Sequence, residues 1–125
     1  MFKQLIAVGI GGAVGSMLRF LVSILTGRLV HGAFPIPTLL INLSGCFLIG
    51  LLLGIFSQPP YDNSNLRLLL VTGFCGGYTT FSTFANENLL LIEQQQAFLA
   101  VAYTLLSVVL GIALVWVGMA VGKTV

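Results

Sequence analysis

Four long apolar stretches separated by short polar breaks set the pattern of this chain. Residues 4–26, 37–56, 67–92 and 97–121 each approach the roughly 20 apolar residues that one helix needs to cross a bilayer. Between them lie a turn at 31–35, a polar loop "SQPPYDNSN" at 57–65 and "EQQQ" at 93–96. The pattern predicts an all-α membrane protein with four transmembrane helices, a single integral membrane domain over residues 1–125. The first stretch also has the look of a cleaved leader, because Lys3 precedes an apolar run and small residues follow. Its length, Arg19 towards its far end and three further spans predict that it is retained as a helix. No soluble domain or low-complexity tail is left over, so the chemistry is expected within the bilayer.

The third stretch breaks its own pattern. Residues 73–88 read "GFCGGYTTFSTFANEN", with hydroxyl side chains crowded into a span that is otherwise apolar. Gly76 and Gly77 together cost about 2 kcal/mol relative to alanine in a helix interior, and Tyr78, Thr79 and Thr80 are mediocre helix formers. A helix broken at residues 76–80, near the bilayer midplane, is therefore expected. Lipid cannot satisfy the freed backbone groups, so such a break must be buried in protein or coordinate something. Its carbonyls suit a hard cation such as sodium, and the start of the resumed helix suits an anion. The plainer reading is a kinked helix repaired by threonine hydroxyls. Elsewhere Gly11 and Gly15, Gly50 and Gly54, and Gly118 and Gly122 have the spacing that lets membrane helices pack closely. "GIGGAVG" at 9–15 brushes against a dinucleotide fingerprint, but Val14 takes the third glycine position and no strand precedes it.

Composition sharpens the class. The chain is 58% hydrophobic and 6% charged, far from the average of soluble domains. A net charge of +2 is too sparse for a nucleic-acid footprint, so no nucleic-acid partner is expected. With both termini on one side, Lys3, Arg67 and Lys123 fall there and Arg28 on the other, a bias weak enough to permit insertion in both orientations. Four helices enclose a pathway poorly and no internal repeat supplies a second half, so transport would call for a homo-oligomer. Cys46 and Cys75 lie within apolar stretches and read as small packing residues. His31 sits in a loop with no ligand partner at metal spacing, and reads as a surface histidine.

Polar side chains inside the spans are costly and so informative. Arg19 lies 16 residues beyond Lys3, about 24 Å along a helix, which places it near the opposite interface as a snorkelling anchor or in a wet vestibule that attracts anions. Asn42, in "TLLINLSG", is either interhelical glue or part of a pathway. Phe81 and Phe84 share a helical face, with Ser82 and Thr83 pointing elsewhere. Such pairs are usually core, but ring edges carry positive potential and can favour a small anion. In the fourth span Tyr103 and Ser107 share a face that Gly111 continues. Many donors without deep fixed charge suit rapid passage of a small, strongly hydrated anion.

These residues carry a resemblance. "GFCGGYTTFSTF" at 73–84, with "GGAVGSMLR" at 11–19 and "TLLINLSG" at 38–45, resembles the CrcB/Fluc family of fluoride channels, across all four spans in order and length. The resemblance implies a fluoride-selective channel in the bacterial inner membrane that relieves cytoplasmic fluoride toxicity. It implies a homodimer of two oppositely oriented subunits with two pores and a structural sodium ion at the centre. By position in the motif, the carbonyls of Gly76 and Thr79 would hold the sodium, Phe81, Phe84 and Asn42 would line the pore, and Arg19 would stand in the vestibule. The polar track would fall on Thr80, Ser82 or Thr83 and on Tyr103 and Ser107. Some members bear another hydroxyl where this chain has Gly111, and a water is a substitute there. Glu87 matches a family glutamate near the pore end, without an assigned role.

Three rivals remain. A small multidrug exporter needs a carboxylate deep in the first span, and that span has Arg19 and no acid. An enzyme needs a nucleophile with its base or a metal cluster, and neither pattern is present, so no enzymatic activity is expected. A membrane assembly subunit fits the composition but has no use for a hydroxyl-rich break.

Overall fold

The computed structural model describes residues 1–60 and 63–125; Tyr61 and Asp62, part of the predicted 57–65 loop, lie outside the described residues. Helix α1 is Phe2–Leu29 and α2 is Ile36–Phe56, which starts on a proline in its first turn, where the missing N–H is no loss. The third span opens as α3 over residues 64–78, in three parts: Ser64–Arg67, a π-helical Leu68–Cys75 and a last turn Gly76–Tyr78. The Asn63 side chain accepts the Leu66 N–H at 3.0 Å and so caps its start. After an interruption the span resumes as α4, Ser82–Glu93, and the fourth span is α5, Ala97–Gly122. Among the described residues, four helical spans are long and apolar enough to cross a membrane, each within a few residues of its predicted limits.

The interruption is displaced from its expected place. Gly76, Gly77 and Tyr78 are helical, and the chain leaves the helix at Thr79, which is extended (φ −80°, ψ 158°). Gly77, like Gly73 before it, serves close approach instead of breaking the helix. A Cβ on Gly77 would lie 2.5 Å from the Gly12 carbonyl oxygen, and one on Gly73 would lie 2.8 Å from that of Val8. These contacts seat α3 against α1 with the two running parallel.

The other two spans pair in the same way. Cβ atoms on Gly50 and Gly54 would strike the carbonyls of Val115 and Met119, and those on Gly118 and Gly122 would strike Phe47 and Leu51. Thus α2 and α5 also run parallel at backbone contact, as their glycine spacing predicts. The two pairs then join antiparallel, where α2 crosses the interruption and α4 lies along α5. Tyr103 is fully buried in that second junction, against Phe34, Phe84, Leu39 and Leu91. Outside it, large apolar side chains such as Phe20, Phe98 and Trp116 are turned outward, as expected of a surface facing lipid or another subunit.

Candidate functional site at the helix break

Asn42 governs the interruption. Its Oδ1 accepts the Thr80 N–H at 2.9 Å and its Nδ2 donates to the Thr80 carbonyl at 3.0 Å, so one carboxamide satisfies both backbone groups of one residue. In an unbroken helix the Thr80 N–H would reach the Gly76 carbonyl. One turn later the Thr83 N–H, which would reach the Thr79 carbonyl, donates instead to Thr80 Oγ1 at 3.3 Å, as in a helix cap. The Gly76 and Thr79 carbonyls thereby lose their helical donors to side chains, and no other donor meets them among the described residues. Gly76 is exposed, and nothing lies within 4 Å of where its Cβ would stand. Two acceptors without donors on an open backbone are suited to a hard cation with oxygen ligands.

The carbonyl between them is treated differently. Gly77 O accepts Arg19 Nε at 3.0 Å and Ser16 Oγ at 3.4 Å. Arg19 therefore stands beside the break, ten residues before α1 ends at Leu29. The guanidinium sits at the end of α3, where a cation complements the exposed carbonyls.

A groove of about 400 Å³ opens in front of the break. Asn42, Thr79, Thr80, Phe81, Phe84 and Ser107 are among its lining residues, and no Asp, Glu, Lys, Arg or His is. The two phenyl rings lie 5.7 Å apart at a 45° tilt, with Phe81 77% exposed and Phe84 half-buried. Ser107 Oγ is buried in this wall with no hydrogen-bond partner among the described residues. An unpaired buried hydroxyl costs free energy on the order of 1–3 kcal/mol. Beyond it, a Cβ on Gly111 would lie 3.3 Å from Cys46 Sγ.

Other candidates lie apart. Tyr103 is absent from the groove wall: its hydroxyl donates to Glu87 Oε1 at 2.9 Å, inside the α4–α5 junction. Thr38 Oγ1 donates to Glu87 Oε2 at 2.9 Å, so Glu87 ties α2, α4 and α5 together. Phe84 links the two regions, its ring 5.0 Å from that of Tyr103. Ser82 and Thr83 are exposed outside the groove, and Thr83 Oγ1 accepts from the Thr80 hydroxyl at 3.2 Å. Residue-by-residue reasoning passed over Ser16, Thr38 and Ser44, whose hydroxyl pairs with that of Tyr78 at 3.0 Å. A search of every span for hydroxyls, and not of the third and fourth alone, would have found them.

Fold and site define a class: a small multi-pass membrane protein whose third span is interrupted beside a largely apolar groove that includes Asn42, Thr80 and Ser107 and no charged side chain. The family model described as "CrcB-like protein, Camphor Resistance (CrcB)" matches residues 6–119. The chain belongs to the CrcB family. It is 42% identical over 118 residues to the "Fluoride-specific ion channel FluC" of Azobacteroides pseudotrichonymphae, covering 94% of each chain. To the protein of the same description from Flavobacterium psychrophilum it is 40% identical over 121 residues, 97% of this chain and 98% of the other. "Fluoride-specific ion channel FluC 2" of Bacillus licheniformis is 44% identical over 123 residues, 98% of this chain and 89% of the other.

Proposed function

We propose that this protein is a fluoride-selective ion channel of a bacterial inner membrane, a passive route by which fluoride leaves the cell and its toxicity falls. The observation that carries the reading is the groove itself, where Asn42, Ser107, Phe81 and Phe84 converge without a charged side chain. Fluoride gives up hydration only for replacement donors, and a fixed cation would hold it too long for rapid passage. Ser107 Oγ offers an uncommitted donor, and the Asn42 amide retains one hydrogen beyond the bond to Thr80. The relatives bearing the fluoride-channel description support the choice of ion. No carboxylate lines the groove, as proton-coupled export of cationic drugs would require.

The channel is a dimer of antiparallel copies, each completing the other's groove. Phe81, exposed in one chain, then meets the partner, and the weak charge bias permits both orientations. The interruption lies near the bilayer midplane, since residues 79–81 stand between the 15 residues of 64–78 and the 12 of Ser82–Glu93. At the dimer centre the Gly76 and Thr79 carbonyls, left without helical donors, would hold a sodium ion, which would supply positive charge to offset their dipoles.

Purified protein in fluoride-loaded liposomes tests the reading with an external fluoride electrode. Release well above that of protein-free vesicles is expected, and its absence sinks the channel. In the same assay, exhaustive exchange of sodium for a large organic cation stops release; unchanged rates after prolonged dialysis remove the cation.

A further inference from the structure

A second groove, of about 520 Å³, lies at the opposite end of the α1–α3 contact. From Val8 onward the two helices touch through backbone, since a Cβ on Gly73 would strike the Val8 carbonyl and one on Gly11 that of Leu69. Towards their starts they part, with Ile6, Ala7 and Ile10 on one wall, Leu66 and Leu69 on the other, and Lys3, Asn63 and Asn65 at the mouth. We propose that this groove binds an anionic phospholipid, its phosphate at Lys3 and one acyl chain along the apolar walls.

The wall is graded as a phospholipid is. From Lys3 to Ile10 is seven residues, about 10 Å of helix, or a third of the ~30 Å hydrocarbon core. The amide of Asn63 spends its oxygen on the Leu66 N–H and keeps its Nδ2 donors for a headgroup. Charge selects the anionic class. Parallel α1 and α3 start at the end where parallel α2 and α5 finish, so Lys3, Arg67 and Lys123 gather there, and the Gln58 side chain donates to the Lys123 carbonyl. These three bases outnumber Asp62, the one acid in the sequence of that end, whereas Arg28 and Glu93 balance at the other. Each base near an anionic surface adds to the attraction. If the subunits lie antiparallel, the dimer holds one such lipid in each leaflet.

Native mass spectrometry of the detergent-solubilised protein with equal phosphatidylglycerol and phosphatidylcholine tests this. Retention of phosphatidylglycerol several-fold above phosphatidylcholine is expected, with Lys3→Gln removing the preference and leaving fluoride release unchanged. Ile6→Trp, which fills the trough, lowers retention of both lipids while circular dichroism stays helical. Equal retention of the two lipids, or preserved preference in Lys3→Gln, overturns the proposal. So does displacement by millimolar inorganic phosphate, which would reveal an anion site without a chain. Disulfide capture of a second copy through Ile6→Cys would make the groove a protein interface and likewise overturn it.

Discussion

Phe81 is 77% exposed in the single chain while Phe84, three residues on, packs its ring against Tyr103. The shared face was legible from their spacing, and so was the cost of Asn42 in an apolar span. The destination of Tyr103 was not, because helical periodicity gives a face but not the neighbour it meets. Glu87 draws the Tyr103 hydroxyl away from Ser107, although the two residues sit one turn apart on α5. If the rings flank the ion, Phe81→Ile and Phe84→Ile each cut fluoride release at least about tenfold, roughly 1.4 kcal/mol on the barrier. Dimer content by cross-linking stays near wild type. Wild-type release in both variants would return the rings to packing.

At the scale of elements, the sequence marked the third span as interrupted over residues 76–80, of which Thr79 and Thr80 leave the helix and the glycines do not. Glycine weakens a helix, yet in a membrane it also permits helices to touch, and contact with α1 wins at Gly73 and Gly77. Residues 79–81 form the actual break because Asn42 supplies from α2 the hydrogen bonds that the helix gives up. Antiparallel register between spans sets that exchange, and one span read alone cannot reveal it. The same holds for Arg19 and Ser16 on Gly77 O, which require α1 and α3 aligned in parallel. The π-helical turn over Leu68–Cys75 left no mark in an apolar run of this length. Asn42→Ala leaves the Thr80 N–H and carbonyl unpaired, at about 1–3 kcal/mol each. The apparent melting temperature of the detergent-solubilised protein is expected to fall by several degrees with loss of fluoride release. An unchanged melting curve would show that the break holds without the carboxamide.

For the whole molecule, four spans and their order were plain in the hydropathy pattern, and the span limits moved by only a few residues. Assembly was less accessible, since it depends on surfaces that a single chain leaves open, such as Gly76 and Phe81. In an antiparallel dimer, membrane-impermeant labelling of a cysteine introduced at either terminus reaches about half the copies from one side of intact cells, following the weak charge bias. Uniform one-sided labelling would reject that arrangement. The charge-free groove makes the sharpest claim: fluoride passes and chloride, larger and less demanding of donors, does not. Planar-bilayer recordings with fluoride on one side and chloride on the other measure this directly. The account predicts a reversal potential that follows the fluoride gradient and ignores chloride; a reversal potential that moves with chloride would contradict it.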